Sequence, residues 1–410
     1  MCGGASLERY LDLGHMPPAD QFLRPDQLAG PTVHYPLEVY LCLDCGLSQL
    51  GYVVAPETLY QDDYPYEASV TRAGKTHFRS FAATVVERFG FDENQLAVDV
   101  GSNVGVLLSG FAEEGMNVLG IDPAENIAQI ANDHGVPTIA AMFSPDVAGR
   151  TATDHGRASV ITATNVFAHV DDLNDFMRAV DALLADDGVF IIEAPWVAHL
   201  LQSLEYDTIY HEHLSYLAVR PLEAFFERLG MRLFDVQEVD IHGGSIRIFV
   251  DRARRPVERG TLDDLLQREA EAGAFDLEKL GEFAERVAAN RSDLQSLLRA
   301  LRADGKRIVA VSAPAKGMTL LNYCRLGIET LEYVTEKSRL KIGRFTPGMH
   351  LPVVGDDELL RTRPDYALLL AWNFAEEIIE NLHEFAEAGG RFIVPIPSPR
   401  IVTAKEAARP

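Results

Sequence analysis

Little in this sequence points to the secretory pathway or to a membrane. Its 410 residues include only four cysteines, which is too few for a disulfide framework. The longest apolar runs, such as residues 366–372, are far shorter than the ~18–20 residues that a membrane-spanning helix needs. No charged segment followed by an apolar core stands at the beginning of the sequence, so no secretory signal is visible. We therefore expect a cytoplasmic protein that does not associate with a membrane.

Basic residues are also scarce. The chain has 37 Lys and Arg residues against 61 Asp and Glu residues, which gives a formal net charge of −24 at pH 7. A field this negative repels phosphate backbones, so we expect no binding to nucleic acid. A small anionic substrate in a locally basic pocket remains compatible with this charge.

Strand-like and helix-like segments alternate twice along the chain, first over residues 96–250 and again over residues 307–397. This alternation is typical of a parallel sheet that is covered by helices on both faces. Before it stands a turn-rich segment, and between the two stretches lies a helical stretch over residues 262–305. We predict three parts: an N-terminal module (1–60), a central α/β domain (61–255), and a helical linker with a smaller α/β domain (256–410).

A glycine-rich turn follows the first buried-strand candidate, in the order Asp99-Val-Gly101-Ser-Asn103-Val-Gly105. Such a turn lets the backbone approach a ligand closely, and the N-terminus of the helix beyond it favours negative charge. A dinucleotide fingerprint would need glycine at positions 103 and 106, which are Asn103 and Val106. An acidic residue before G-x-N-x-G instead resembles motif I of class I S-adenosylmethionine methyltransferases. A plain structural turn is the alternative.

Further polar residues would complete this cofactor site. The second strand candidate ends in Ile121-Asp122-Pro123, where an acidic side chain can bind both ribose hydroxyls. Asn165 and His169 follow the third strand candidate, and ligands of open α/β sheets lie beyond the carboxyl ends of the strands. We predict that Asp122, Pro123 and Asn165 contact the cofactor and that Asn165 and His169 lie beside its sulfonium. A helix-capping role is the alternative for Asn165.

Two histidines flank a glutamate in the segment Tyr210-His211-Glu212-His213. A zinc-protease motif would need a second histidine at position 215, which is Ser215. In an extended segment, His211 and His213 point to one face, and Tyr210 and Glu212 point to the other. Two imidazoles, a carboxylate and a phenol can supply a general base with its orienting partners, whereas a hydrogen-bonded structural turn is the alternative.

Three of the four cysteines are candidate metal ligands. Cys42-Leu-Asp-Cys45-Gly has the spacing of a zinc knuckle, and Cys2-Gly-Gly resembles the end of another knuckle. Thiolates at this spacing can share one tetrahedral ion, so we predict a structural zinc site of Cys2, Cys42 and Cys45. Cys324 lies in the distant α/β unit, where we expect it to act as a small buried apolar side chain.

The C-terminal unit contains a comparable turn, because Ser312-Ala-Pro-Ala-Lys316-Gly follows a strand candidate and begins a helix. Lys316 is positioned to meet a phosphate there, and a solvated helix cap is the alternative. The basic run over residues 337–344 is either a solvated loop or a cradle for a diphosphate.

The motifs in this order resemble one family over nearly the whole chain. Cys-x2-Cys-Gly, VDVGSNVG, NVFAHVDDL, GVFIIEAP, YHEHLSY, HGGSIR and SAPAKG resemble the sugar C-3′-methyltransferases of antibiotic deoxysugar biosynthesis, of the tetronitrose, kijanose and mycarose type. This resemblance implies an N-terminal zinc-binding module and a central class I methyltransferase (Rossmann-like) domain that binds S-adenosylmethionine. It also implies a C-terminal Rossmann-like α/β domain that closes over a nucleotide sugar.

The resemblance further implies a substrate, a dTDP-linked 4-keto-6-deoxy sugar. Its ketone acidifies the C3 hydrogen, so a base can form an enolate whose C3 attacks the methyl sulfonium. A neutral imidazole with a pKa near ~6.5 suits that task, and we assign it to His213. The other predicted roles are enolate-stabilising donors (Tyr210 and Tyr64), an orienting carboxylate (Glu212), a cleft-lining imidazole (His169) and further substrate contacts (His242 and Lys316).

Two positions depart from the family pattern. The first zinc cysteine of the family would fall before Met1, so either an upstream segment supplies it or His15, His34 or a water completes the site. Asp20 stands where many relatives have asparagine.

Two other functions remain open at this point. A methyltransferase that acts on a sugar hydroxyl or amine would need no carbon acid, so C3 hydrogen would not exchange with solvent. A non-catalytic module that binds zinc and a nucleotide would be indifferent to replacement of His213. Whichever function applies, we expect a monomer or a weak dimer.

Overall fold

Three β-sheets organise the computed structural model, which describes residues 1–59, 72–240, 244–252 and 254–403. Two predicted substrate contacts, Tyr64 and His242, lie outside these described residues. None of the helices in the described ranges is both long and apolar enough to cross a membrane.

The N-terminal part forms an antiparallel sheet. Its elements are β1 (Leu7–Met16), β2 (Tyr35–Cys42), β3 (Ser48–Leu50) and the short helix α1 (Pro56–Leu59). Alternate residues of β2 (Leu37, Val39 and Leu41) are buried, as expected for a sheet with one covered face. The sequence pattern did not predict β1, because its charged residues (LERYLDLGHM) weaken the alternation on which a strand prediction depends.

The central part alternates strands and helices. Its strands are β4 (Leu96–Val100), β5 (Asn117–Asp122), β6 (Thr138–Ala140), β7 (Ala158–Thr164), β8 (Leu184–Pro195), β9 (Ser215–Tyr216), β10 (Arg232–Val239) and β11 (Ser245–Asp251). Its helices are α2 (Arg72–Phe89), α3 (Val106–Glu113), α4 (Glu125–Asp133), α5 (Pro145–His155), α6 (Leu173–Leu183), α7 (Val197–Ser203) and α8 (Val219–Arg228), with 3-10 turns at Phe167–His169 and Tyr206–Thr208.

Seven of these strands form one sheet in the order β10-β11-β8-β7-β4-β5-β6. β11 runs antiparallel to both of its neighbours, and the remaining pairs are parallel. The predicted parallel sheet is therefore correct apart from β11. Strand order reverses between β4 and β7, and in open α/β sheets the ligand crevice lies at such a switch point. This arrangement agrees with the predicted Rossmann-like domain.

The two-residue strand β9 lies in the central part of the chain but belongs to the N-terminal sheet. It pairs with β3, with Ser48 opposite Tyr216 and Gln49 opposite Ser215. The N-terminal sheet therefore has the order β1-β2-β3-β9. As a result, the histidine-rich segment just before β9 runs between the two sheets.

The C-terminal part begins with two helices and ends in a third sheet. The helices are α9 (Arg259–Glu271), α10 (Leu277–Ala303), α11 (Ala315–Tyr323), α12 (Asp357–Thr362), α13 (Ala375–Asn381) and α14 (His383–Glu387). The strands are β12 (Ile308–Val311), β13 (Val334–Glu336), β14 (Val353–Gly355), β15 (Tyr366–Leu369), β16 (Arg391–Val394) and β17 (Arg400–Val402). Their order is β14-β13-β12-β15-β16-β17, so this Rossmann-like sheet has its own switch point between β12 and β15.

The N-terminal and C-terminal parts are joined directly. Leu23 and Phe345 exchange both backbone hydrogen bonds, at 2.9 and 2.8 Å. Beside this pair, the ammonium of Lys341 lies 3.3 Å from a carboxylate oxygen of Asp20 and donates to the carbonyl of Ala313 at 2.8 Å. Lys341 belongs to the basic run over residues 337–344, and it is 4% exposed. Lys341 is therefore neither exposed to solvent nor available to bind a diphosphate, because its ammonium is buried against Asp20 and Ala313.

Candidate functional site

The glycine-rich turn lies between β4 and α3, at the switch point of the central sheet. Gly101 has φ +66° and Gly105 has φ +79°, the left-handed region that glycine enters without strain. A Cβ atom on Gly101 would lie 2.4 Å from Val166, and one on Gly105 would lie 2.7 Å from Val136. Both positions therefore require glycine for two independent reasons, the left-handed backbone and the lack of space for a Cβ atom.

Two buried carboxyl groups lie under this turn. Asp122, at the end of β5, accepts hydrogen bonds from the backbone N–H groups of Asn103 and Ala124, each at 2.9 Å. Asp99 accepts a bond from the Thr162 hydroxyl at 2.6 Å. Burial raises the pKa of both carboxyl groups, and for Asp99, where the charge of Asp122 adds to it, the pKa reaches about 7. Asp122 thus braces the turn that the sequence assigned to the cofactor.

Asn165 follows β7, directly across the switch point. Its backbone is left-handed, with φ +56°, and its N–H group donates to the carbonyl of Glu193 at 2.7 Å. The neighbouring 3-10 turn has Val166 at its N-cap, and α6 is capped by Asp172, so Asn165 caps neither element. The helix-capping alternative for Asn165 is therefore wrong.

His213 is the centre of an imidazole–phenol cluster at the same edge. Its Nδ1 lies 2.7 Å from the carbonyl oxygen of Thr208, and its Nε2 lies 2.7 Å from the hydroxyl of Tyr210. The ring of His169 lies 4.9 Å away between centroids. Burial, followed by the charge of His213, holds the pKa of His169 well below its ordinary value. His169 is accordingly a neutral side chain beside His213.

The predicted orientation of the histidine segment is wrong. Residues 210–213 form a turn, closed by a bond from the N–H of His213 to the carbonyl of Tyr210 at 2.9 Å, instead of an extended segment. Tyr210 and His213 therefore share a side, with ring centroids 4.0 Å apart. His211 points to the N-terminal sheet, where its ring packs edge-on against Tyr35 and burial lowers its pKa to about 4. Glu212 is buried, at 3% exposed.

The three predicted zinc ligands come together. The Sγ atoms of Cys2, Cys42 and Cys45 all lie within 4.8 Å of one another, and those of Cys2 and Cys42 are 3.6 Å apart. Tetrahedral zinc with Zn–S bonds of ~2.3 Å separates its sulfurs by about 3.8 Å, so the thiols fit the ion.

Neither histidine offered as a fourth ligand joins the thiols. Within the described ranges, the metal-ligating group consists of the three cysteines alone. The register of β1 and β2 places Leu7 opposite Cys42 and His15 opposite Pro36. Six residues of β2 separate these pairs, about 20 Å at ~3.3 Å per residue, and bulges in β1 take up its two extra residues. His15 is therefore at the wrong end of the ribbon.

Lys316 stands in the first turn of α11, at the switch point of the C-terminal sheet. Its Nζ lies 3.6 Å from Oδ2 of Asp207 and 4.3 Å from the ring centroid of Trp372. Asp207 is fully buried and accepts a hydrogen bond from the indole N–H of Trp372 at 2.7 Å. The cation is therefore turned towards a carboxylate of the central part, and its predicted phosphate contact stays a prediction.

Several residues that shape the site were not singled out from the sequence. Thr208 acts through its backbone carbonyl, which no side-chain motif can reveal. Glu193 receives bonds from Arg247 at 2.7 and 2.9 Å and lies 2.6 Å from Nε2 of His77. Although burial raises the pKa of Glu193, the hydrogen bond to His77 and the charge of Arg247 bring it below the ordinary value. The available signals in the sequence were the glutamate of the GVFIIEAP motif and the arginine of the HGGSIR motif.

Three family models cover most of the chain. They describe a zinc binding domain over residues 1–60, a methyltransferase domain over residues 75–236 and a C-methyltransferase C-terminal domain over residues 240–397. Together with the sheet order, the glycine turn and Asp122, they define a class I methyltransferase that uses S-adenosylmethionine and carries a zinc-binding module. The predicted cofactors and fold class are confirmed.

A curated relative covers the whole length. The chain is 39% identical over 406 residues to the C-methyltransferase NovU of Streptomyces niveus, which is 99% of this chain and 96% of that protein. The chain therefore belongs to the C-methyltransferase family of NovU, and the family predicted from its motifs is confirmed.

More distant similarities cover less of the chain. The ubiquinone biosynthesis O-methyltransferase of Bordetella avium is 28% identical over 165 residues, which is 36% of this chain and 68% of that protein. The structure of magnesium protoporphyrin IX methyltransferase from Synechocystis PCC 6803 matches 46% of this chain and 90% of its own, at 13% identity and a TM-score of 0.35.

Proposed function

We propose that this C-methyltransferase adds a methyl group to C-3′ of a dTDP-linked 4-keto-6-deoxy sugar through an enolate intermediate, in antibiotic deoxysugar biosynthesis. The observation that carries the proposal is the environment of His213, which suits a base for a carbon acid. Methylation of carbon requires removal of a C–H proton, whereas a hydroxyl or amine acceptor loses only a more acidic O–H or N–H proton. The family membership favours carbon as the acceptor.

His213 has the features of a general base. A carbonyl oxygen only accepts hydrogen bonds, so the contact of Nδ1 with Thr208 requires a proton on Nδ1. In the neutral ring this leaves the lone pair on Nε2, the nitrogen that faces Tyr210. His213 is 9% exposed, so water has little access to it. A single tautomer with a shielded basic nitrogen is what C3 deprotonation needs.

The neighbouring side chains fit supporting roles. The Tyr210 hydroxyl donates to Nε2 of His213, and turning that proton to the oxygen on which charge develops would both steady the enolate and free Nε2 to act as the base. Neutral His169 lines the same cleft without competing for the C3 proton. Tyr64 remains the second predicted donor, and Glu212 remains the predicted orienting group. We assign the anchoring of the nucleotide to the switch point of the C-terminal sheet, with Lys316 as its predicted contact, and His242 remains a predicted substrate contact.

The cofactor half of the site follows from the central sheet. S-adenosylmethionine supplies an electrophilic methyl group when it is bound. We assign the turn of Asp99, Gly101, Asn103 and Gly105 to its close approach. We assign Asp122 with Pro123 to the ribose and Asn165 to the neighbourhood of the sulfonium. Alignment of C3 with the methyl group then accounts for much of the rate enhancement.

A product assay combined with isotope exchange tests the proposal. Purified protein is incubated with S-adenosylmethionine and a panel of dTDP-4-keto-6-deoxy sugars that differ at C3 (amino, hydroxyl or none). A mass gain of one methyl group, located on C-3′ by NMR, is the expected result. In D2O with S-adenosylhomocysteine, deuterium at C3 of the accepted sugar would support the enolate. A methyl group on oxygen or nitrogen would overturn the proposal.

A further inference from the structure

We propose that Asp207 is a positioning residue for His213 and that the C-terminal unit holds it in place. Through Asp207, the C-terminal unit would decide which ring nitrogen of His213 is basic. This inference rests on the proposed function of His213, although its central measurement does not require methyl transfer.

Asp207 ties the central part to the switch point of the C-terminal sheet. Its Oδ2 accepts the indole N–H of Trp372 at 2.7 Å, and the Lys316 ammonium lies 3.6 Å from the same oxygen. Trp372 follows β15 and Lys316 follows β12, so residues on both sides of that switch point contact the carboxylate. With Asp207 fully buried, loss of these partners would leave a charge without compensation.

The residues on either side of Asp207 are held by the same unit. The Thr319 hydroxyl on α11 donates to the carbonyl of Ile209 at 3.0 Å. The hydroxyl of Tyr206 donates to Oδ1 of Asn290 on α10 at 2.8 Å, and the Asn290 amide donates in turn to the carbonyl of Pro395. Three anchors, at residues 206, 207 and 209, therefore fix one short backbone turn to the C-terminal unit.

Thr208 lies between these anchors, and its carbonyl is the acceptor for Nδ1–H of His213 at 2.7 Å. The orientation of that carbonyl depends on the peptide that the anchors hold. If the turn relaxes, Nδ1 loses its acceptor and the proton can move to Nε2, which removes the lone pair from the catalytic side. Misplacement by about 1 Å costs about a hundredfold in rate, so the turn need not unfold to impair catalysis.

A purely structural role for Asp207 is the competing explanation, and the chain offers a matched control for it. Glu269 is also fully buried, and its carboxylate accepts the indole N–H of Trp196 at 2.8 Å and the backbone N–H of Val219. Glu269→Gln therefore perturbs a carboxylate–tryptophan bond of the same kind that does not contact residues 206–209. It should lower thermal stability without changing His213.

The central measurement is the tautomer of His213 in full-length protein. Long-range 1H–15N correlation spectra of histidine-labelled protein distinguish a protonated from an unprotonated ring nitrogen, and His213→Asn identifies the signal by its loss. We expect a single tautomer protonated at Nδ1 in the wild-type protein and in Glu269→Gln. In Asp207→Asn we expect a mixture of tautomers. Retention of the single tautomer in Asp207→Asn would overturn the inference.

Milder variants guard against misfolding of Asp207→Asn. Trp372→Phe removes one donor and keeps the ring, and Thr319→Val releases the carbonyl of Ile209. With the sugar that the wild-type enzyme methylates, each should lower kcat, by up to about a hundredfold, and leave KM for the sugar unchanged. A rise in KM with constant kcat in both would overturn the inference in favour of a substrate contact. Full activity of His213→Asn would instead refute the proposed base, while the tautomer spectra would still decide the role of Asp207.

Discussion

The hydroxyl of Tyr210 lies 2.7 Å from Nε2 of His213, on the ring edge opposite the bond to Thr208. Since Nδ1 already carries a proton, Nε2 is the acceptor and the phenol is the donor. Tyrosine and imidazole therefore form one hydrogen-bonded unit, and a change in either alters the proton affinity of the other. The two residues should be tested together.

Replacement of His213 by asparagine should abolish most methyl transfer while both ligands still bind. Removal of a general base typically costs ~10²–10⁴ in rate, and asparagine keeps polarity without a basic nitrogen. Tyr210→Phe should give a smaller loss if the phenol only stabilises the enolate oxygen. Rate constants from single-turnover experiments, with binding measured separately, check both. Equal deuterium wash-in by wild-type protein and His213→Asn would show that another residue is the base.

Asp122→Ala should weaken binding of S-adenosylhomocysteine. Loss of a charged hydrogen-bond partner costs about 1.5–3 kcal/mol, which is roughly a 10- to 150-fold rise in Kd. The turn also loses the acceptor for the N–H groups of Asn103 and Ala124. Titration calorimetry measures the change, with the exposed Asp133→Ala on α4 as the control. Unchanged affinity would contradict the assignment to the ribose.

The purified protein should contain at most one zinc ion per chain. Cys42→Ser should remove it, because the ion loses one of its three thiolates, and Cys45→Ser should do the same. Cys324 follows α11 in the C-terminal part of the chain, so Cys324→Ser should leave the zinc ion bound. Elemental analysis of the three variants decides the matter, and metal that survives both serine substitutions in the knuckle would refute the site.

Glu205 should make stability fall as pH rises from about 4.5 to 7. Burial, which outweighs the nearby charge of Lys316, raises its pKa from 4.5 to about 7 in the folded chain. Over that range the unfolded chain loses the proton first, so folding is penalised by up to about 3 kcal/mol. Thermal unfolding of Glu205→Gln should show a smaller decline, to which Asp99 still contributes, whereas Glu282→Gln, exposed on α10, should keep the full decline. Parallel pH profiles for all three proteins would contradict the prediction.

Local patterns predicted the elements of the central sheet well. Five consecutive buried residues mark β4, and the glycine turn after it needs a left-handed backbone at Gly101 and Gly105 that few other residues adopt. Both signals lie within a few residues of one another, so neither depends on tertiary context. The zinc ligands were predictable for a related reason, since the spacing of Cys42 and Cys45 alone suits one ion.

The geometry around His213 was not predictable from its neighbours in sequence. A period-two interpretation separates Tyr210 from His213, whereas the turn that closes at residue 213 brings them together. That turn is fixed by partners more than 100 residues away, including Thr319 and Trp372. The acceptor of Nδ1 is the backbone carbonyl of Thr208, and because every residue has such a carbonyl, no residue type in the sequence predicts it.

The pairing of β9 with β3 limits how this enzyme can be recombined with its relatives. Residues 215 and 216 close the sheet of a module that precedes them by some 160 positions in the chain, so an exchanged N-terminal module must match a strand that it does not encode. A chimera cut near residue 60 would place a foreign β3 edge against the segment that carries His213. Grafted modules should therefore disturb catalysis even where they bind metal normally, and exchanging residues 205–217 together with the module should relieve the defect.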